Sequence, residues 1–234
     1  MQYVCFLWSL LILIIWIAVY FFLPNGESRR EMRTVSFWTS LTGLTEVIFV
    51  PKYWSPPSLF DLNLKTGFDI ESLIWAFGVG GIAVVLYEWI FRARHQPMPH
   101  IERHAPRHRF HLWSLISTPI ILIILLLTTN LNPIYSSIIA MIIGGFAAWY
   151  CRPDLKKKML ISGFIFLGFY ILYFLFIVLV FPNYVGRVWN LKALSGILII
   201  GIPAEELLFA FSFGFLWSSI YEHFKWRKIN HINH

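Results

Sequence analysis

Seven runs of apolar residues, at 4–23, 35–50, 68–91, 112–129, 133–150, 159–181 and 194–224, are each long enough, or nearly so, to cross a bilayer. Hydrocarbon offers the backbone no hydrogen bonds, so each run must satisfy its own amides as helix. The expected fold class is therefore all-α, a polytopic membrane helical bundle of about seven spans. Only 13% of the 234 residues are charged, against 58% hydrophobic, which excludes an ordinary soluble domain. The second run is short, which suits a tilted or partly interfacial helix. Pro203 is expected to kink the long seventh run or split off its first turns. The first run lacks a basic n-region and a small-residue cleavage site, so it is expected to remain as a span.

Lysine and arginine resist translocation and collect on the cytoplasmic side. The loops after spans one, three and five, together with the C-terminal tail, carry 15 of them, and the loops on the opposite side carry 4. The expected location is a cell membrane, multi-pass, with the N-terminus outside and the C-terminus cytoplasmic. The formal net charge of +7 is then a topology signal spread over four membrane ends, and no nucleic-acid partner is expected.

Residues 68–91 align without a gap on 202–225, with seven identities in 24 positions, among them Glu71 with Glu205, Gly80 with Gly214, and Tyr87-Glu88 with Tyr221-Glu222. Upstream, Pro51-Lys-Tyr53 resembles Pro182-Asn-Tyr184. Matched acids in apolar spans do not follow from composition, so the chain reads as a duplication. Residues 1–91 form the first three-helix repeat and 132–225 the second. A His/Arg-rich loop and a connecting fourth helix (92–131) lie between, and 226–234 is a cytoplasmic tail. Matched spans run the same way, which makes the repeats parallel.

The spans hold Glu46, Asp69, Glu71, Glu88, Glu205, Glu206 and Glu222 but neither Lys nor Arg. Five of these acids, Glu46, Asp69, Glu71, Glu205 and Glu206, belong to one layer in the outer half. An ionisable group costs about 2.5–3.5 kcal/mol there even on the lower scale, which makes each a functional-site hypothesis. Desolvation and mutual repulsion both favour the neutral form, so at least one carboxyl is expected to hold a proton near neutral pH, as a general acid must. The competing explanation is structural. Asp69 and Glu206 stand where a carboxylate caps a helix N-terminus. Glu88 and Glu222, beside Arg92 and Arg227, read as salt bridges or interfacial anchors with Tyr87 and Tyr221. Trp75 and Phe209, aligned between the repeats, and Phe77 with Phe211, are candidates to line the acid cavity, where ring faces stabilise cations.

The loop histidines, His95, His100, His104, His108 and His111, invite a metal reading. Pro106 breaks their register and no Cys or carboxylate cluster completes a site, so a solvated basic loop facing anionic lipid is expected, with no metal. Cys5 and Cys151 lie too far apart in depth to bridge and are expected as buried free thiols.

A protonated carboxyl in an aromatic-lined cavity suits the protonation of an alkene and the sheltering of the resulting cation. The Pro203-Ala-Glu-Glu-Leu-Leu-Phe209 segment, the duplicated three-helix unit and the acidic second span resemble the integral-membrane lycopene cyclase domain. The resemblance covers nearly the whole chain. Its Pro-x-Glu-Glu motif maps onto Pro203, Glu205 and Glu206, whereas the first repeat reads Asp69-Ile-Glu71-Ser72, without the proline and the second acid. It implies carotenoid biosynthesis: an isomerase of the lycopene β-cyclase kind that closes the ends of lycopene to β-ionone rings without net redox change. Glu205, assisted by Glu71 or Glu206, would be the acid, with Glu46 in the same layer, and Trp75, Phe77, Phe209, Phe211, Pro203 and Asp69 would meet the substrate. The implied partners are a lipophilic polyene and the bilayer. No cofactor is implied and no bound metal is needed, and the sequence carries no Gly-rich dinucleotide fingerprint. Gly78, Gly80, Gly81, Gly144, Gly145 and Gly168 allow close packing within the bundle or in a homo-oligomer.

Two other classes compete. A CAAX-type intramembrane protease resembles Glu-Glu-x-x-x-Arg, but the arginine position is Ala210 and no histidine lies at acid-layer depth. A non-catalytic carrier or channel could use the same acids to conduct protons or hold a cationic ligand.

Overall fold

The computed structural model describes residues 3–230. Its long elements are α1 (Val4–Phe22), α2 (Gly26–Ser40), α3 (Ile70–Phe91), α4 (His111–Thr128), α5 (Pro133–Cys151), α6 (Lys156–Val180), α7 (Ala204–Trp217) and the short α8 (Ile220–Lys225). Among the described residues, five segments are long and apolar enough to cross a membrane: Val4–Phe22, Ile70–Phe91, Pro106–Thr128, Pro133–Cys151 and Pro153–Val180. They turn large apolar residues outward, including Leu7, Ile14, Phe21, Leu127, Leu172 and Leu179. Such a surface belongs in lipid. The protein is an all-helical membrane protein.

Two of the seven expected spans differ from their apolar runs. The second helix starts at Gly26, not at residue 35, with Asn25 capping it through Ser28 N–H···Oδ1 at 2.8 Å. Its polar first half was hidden from a search for apolar runs. It is helical because Ser28, Glu31, Met32, Val35, Ser36 and Thr39 recur at helical spacing and are buried, most of the helix packing against α3. Beyond Ser40 the helical path continues through a 3-10 turn, Leu41–Thr45, and a last turn, Glu46–Phe49.

The seventh helix starts at Ala204, not at residue 194. Before it, strands β2 (Leu198–Ile199) and β3 (Ile202–Pro203) form a two-residue hairpin whose turn residues, Ile200 and Gly201, have φ of 55° and 79°. That pair of positive angles is the signature of a type I′ turn. Proline therefore ends a strand and caps the helix.

The register that pairs Glu71 with Glu205 recurs through the backbone. It matches the N-cap of α3, Asp69, with that of α7, Pro203, and the left-handed C-cap Arg92 (φ 49°) with Trp226 (φ 51°). The strands that follow, β1 (Arg94–Pro97) and β4 (Arg227–Asn230), pair antiparallel with each other, His95 facing Ile229. Those two residues are also matched by the register, so a local two-fold axis runs between them. On the opposite side Trp54 bridges Trp189. Helix α3 packs on α1 and α2, and α7 packs on α5 and α6. The matched Gly80 and Gly214 both stand at close approaches: an added Cβ would meet Thr39 side-chain atoms at 2.4 Å at the first, and Phe166 Cβ at 2.6 Å and the Ser162 carbonyl oxygen at 2.9 Å at the second. Outside this pattern, α4 packs chiefly on α5.

Glu88 and Glu222 are salt-bridged, as one of the two sequence readings expects, but in a buried ion cluster and with partners other than Arg92 and Arg227. Glu31, Glu88, Glu222, His95 and Lys158 have buried side chains drawn from five elements. Lys158 Nζ lies 2.5 Å from Glu88, contacts Glu222 and stands 4.0 Å from Glu31. His95 Nε2 lies 3.0 Å from Glu222 and 3.3 Å from Glu31. Arg92 is exposed, and Arg227 pairs with Glu27 at 3.2 Å. Glu88 and Glu222 therefore take their partner from α6, which begins a turn before its apolar run and carries Lys158 into the protein. The His/Arg-rich loop is likewise only partly solvated. His100 and His104 are exposed, whereas the His95 side chain and His108 are buried.

Candidate functional site

A cavity of about 450 Å³ reaches from the first turns of α3 and α7 into the bundle as far as Val79 and Trp217. Its walls are mainly apolar, with rings from Trp8, Trp54, Trp75, Phe209, Phe213 and Trp217. Three carboxyls reach it, Glu46, Glu71 and Glu206.

Each acid is held by a local feature. Glu46 stands on the last turn of the α2 path. Gly43 lets that path press onto α3, because a Cβ there would lie 2.8 Å from the backbone of Ser72 and Leu73. Glu46 is buried, and its Oε1 has no hydrogen-bond partner among the described residues. Glu71 lies in the first turn of α3, where Oε1 accepts from Leu59 N–H at 2.7 Å and the buried Oε2 has no partner among the described residues. Glu206 lies in the first turn of α7 and receives three donors: Tyr53 O–H, Tyr170 O–H at 2.6 Å and Trp189 Nε1–H at 2.8 Å. Indole N–H can only donate, so at least one Glu206 oxygen acts as an acceptor.

Of the other residues singled out in the sequence, Trp75 and Phe209 line the cavity with their ring centroids 6.3 Å apart. Glu205 points away from it and accepts from Tyr135 O–H at 2.5 Å and Ser195 N–H at 2.8 Å. Asp69 is the α3 cap, bonded by Ser72 N–H at 2.7 Å and by Asn63. Pro203 caps α7, Phe77 packs on Trp16, and Phe211 packs on Phe164 and Phe215. None of these five is on the cavity wall.

Sequence reasoning missed the Glu206 donors Tyr170 and Trp189. It found Tyr53 only as a member of the repeated Pro-x-Tyr. Aromatic residues are so frequent here that only a partner in space separates a donor from packing. Histidine is absent from the cavity wall among the described residues, which leaves a metalloprotease site without its usual ligands.

Among the described residues, two further groups bring together side chains that can ligate a metal. In the cluster of Glu31, Glu88, His95 and Glu222 the Lys158 ammonium already stands among the carboxylates. The other is His108, His111 and Cys151. Both cysteines are buried free thiols, as expected from the sequence.

Compared with known proteins, residues 132–224 match the family model for lycopene cyclase. The match runs from the N-cap of α5 into α8, so it includes Glu205, Glu206, Tyr170 and Trp189 and supports the lycopene cyclase domain family. No curated protein and no solved structure gives a match.

Proposed function

We propose, on the premise of a lycopene cyclase domain, that this chain closes the ends of lycopene to β-ionone rings inside the membrane by carboxyl-mediated protonation. The observation that carries the reading is the convergence of three buried carboxyls in one aromatic-walled cavity, two of them with an oxygen that has no hydrogen-bond partner among the described residues.

A proton passes from Glu71 or Glu46 to the terminal double bond, leaving a tertiary cation. The neighbouring double bond attacks it, closing a six-membered ring and moving the positive charge to a ring carbon. Loss of a ring proton to a carboxylate gives the β double bond, so one proton enters and one leaves and the product is an isomer. Glu206, with three donors, is assigned as the anion that faces the cation and receives the proton. This assignment moves the leading role away from Glu205, whose carboxylate braces the β2–β3 hairpin through Ser195. Ring faces of Trp75 and Phe209 stabilise the cation by about 2 kcal/mol or more when desolvated, without reacting as nucleophiles.

The same reading takes the bundle as two parallel three-helix repeats with α4 as connector, seven spans in all, N-terminus outside and C-terminus cytoplasmic. The matched caps, the β1–β4 axis and the 15-to-4 distribution of basic residues support it. A cavity within the hydrocarbon receives a lipophilic polyene directly from the bilayer.

The test is cyclisation by the purified protein in deuterated water, read by mass spectrometry. Carboxyl-mediated protonation predicts one deuterium retained per ring closed. Cyclised product without deuterium would refute it, and absence of any cyclised product would favour the carrier reading.

A further inference from the structure

We propose that His108, His111 and Cys151 form a binding site for one divalent metal ion of the zinc class, remote from the acid cavity. The three residues come from the loop and helix that connect the two halves and from the end of α5. His108 lies in the 3-10 turn Pro106–Phe110, His111 opens α4, and Cys151 closes α5. The packing of α4 on α5 brings them together.

The geometry is that of ligands around a missing centre. His108 Nδ1 and His111 Nδ1 each lie 3.4 Å from Cys151 Sγ, and the three candidate ligand atoms are all within 4.8 Å of one another. Zinc–sulfur and zinc–nitrogen bonds of about 2.3 and 2.0–2.1 Å, at a tetrahedral angle, set N and S ligand atoms about 3.5 Å apart. The rings are also held for this task. His111 Nε2 stands 3.2 Å from the His223 carbonyl oxygen, which can only accept, so Nε2 carries the proton and a neutral ring turns the Nδ1 lone pair toward Cys151. Trp226 stacks on His111 at 4.1 Å and meets His108 edge-on at 5.2 Å, fixing both ring planes.

Charge permits a cation there. Arg152, next in the chain, has its guanidinium engaged by Asp154 at 2.7 and 2.9 Å and by backbone carbonyls of Glu222 and Arg227. A thiolate would offset half the charge of a divalent ion, and two neutral imidazoles complete three protein ligands, leaving the fourth position to water. The set is Cys–His₂, which selects zinc-class ions over magnesium or calcium. Because the ligands join the inter-repeat loop to α4 and α5, and His111 meets the His223 carbonyl, the ion would clip the connector to the end of the second half. The rival account is hydrogen bonding alone, with the thiol donating to His111 and His108 donating to sulfur.

The test uses the full chain, purified in detergent without a polyhistidine tag and freed of metal by chelation, then titrated with Co²⁺. The site predicts saturation at one Co²⁺ per chain, a thiolate-to-cobalt charge-transfer band, and a rise in Tm on adding Zn²⁺. Cys151→Ser removes the band, His108→Ala weakens binding at least tenfold, and the exposed pair His100→Ala/His104→Ala leaves the band in place. Folded wild-type protein that binds no Co²⁺, or binds it without the thiolate band, overturns the proposal and leaves the hydrogen-bonded account. Because the wild-type titration decides, a variant that fails to fold does not blur the answer. The readout involves no carotenoid, so it stands or falls independently of the cyclase reading.

Discussion

Lys158→Met removes the only ammonium from a buried group of three carboxyls. The substitution keeps most of the side-chain volume, so the effect isolates charge. Lys158 Nζ is 2.5 Å from Glu88, in contact with Glu222 and 4.0 Å from Glu31, and all four side chains are at most 2% exposed. Breaking a buried ion pair from one side costs about 3–5 kcal/mol, because the partner is left uncompensated. His95 remains near Glu222 and Glu31 but stands 3.9 Å from Glu88, so the loss concentrates on Glu88. For a chain of this size each kcal/mol moves Tm by about 2–4 °C. The expected fall is thus roughly 6–20 °C, measured by thermal unfolding in one detergent at one scan rate. Adding Glu88→Gln to Lys158→Met should restore part of it, with a coupling of about 1–3 kcal/mol in the double-mutant cycle. A Tm for Lys158→Met within about 2 °C of wild type, or a double variant that is simply additive, would refute the reasoning.

Other consequences are as specific. Glu71→Gln and Glu46→Gln should each lower cyclised product per folded protein by about 10²–10⁴-fold if that residue supplies the proton, and the one that does not should fall far less. Trp189→Phe deletes an N–H donor to Glu206 without removing the ring, and Tyr170→Phe deletes an O–H donor; a hydrogen bond to a charged group is worth about 1.5–3 kcal/mol, so initial rates should drop roughly 10- to 150-fold. Glu205→Gln should lower activity less than Glu206→Gln, measured side by side on matched membranes. Gly43→Val drives a side chain into the Ser72–Leu73 backbone and should cost about 1–3 kcal/mol or more in thermal unfolding, with activity falling as Glu46 is displaced.

Much of the fold was written in hydrophobicity, because a bilayer requires long apolar runs wherever a helix meets lipid. The two failures have the same physical origin. The first half of α2 buries one face against protein rather than lipid, so Glu31 and Ser28 could sit there, and apolar length could not find it. The stretch before α7 is apolar and exposed, yet Gly201 and Pro203 turn it into a hairpin. Apolar length could not tell strand from helix. The acids were legible because an unpaired carboxyl in an apolar run is costly. Which of them face the cavity was not, because Glu205 and Glu206 are neighbours in sequence and their side chains diverge by a helical step. Lys158 escaped notice for a related reason: three lysines at the start of α6 read as a cytoplasmic boundary, and only the three-dimensional structure singles out one that turns inward.

Chromatography of pigments from lycopene-accumulating bacteria that express this chain tests the central claim most directly. Wild-type protein should convert lycopene to cyclised carotenes, and whichever of Glu71→Gln and Glu46→Gln removes the proton donor, at matched levels in the membrane, should abolish the conversion. Unchanged lycopene in cells that hold the folded, inserted wild-type protein would contradict the account.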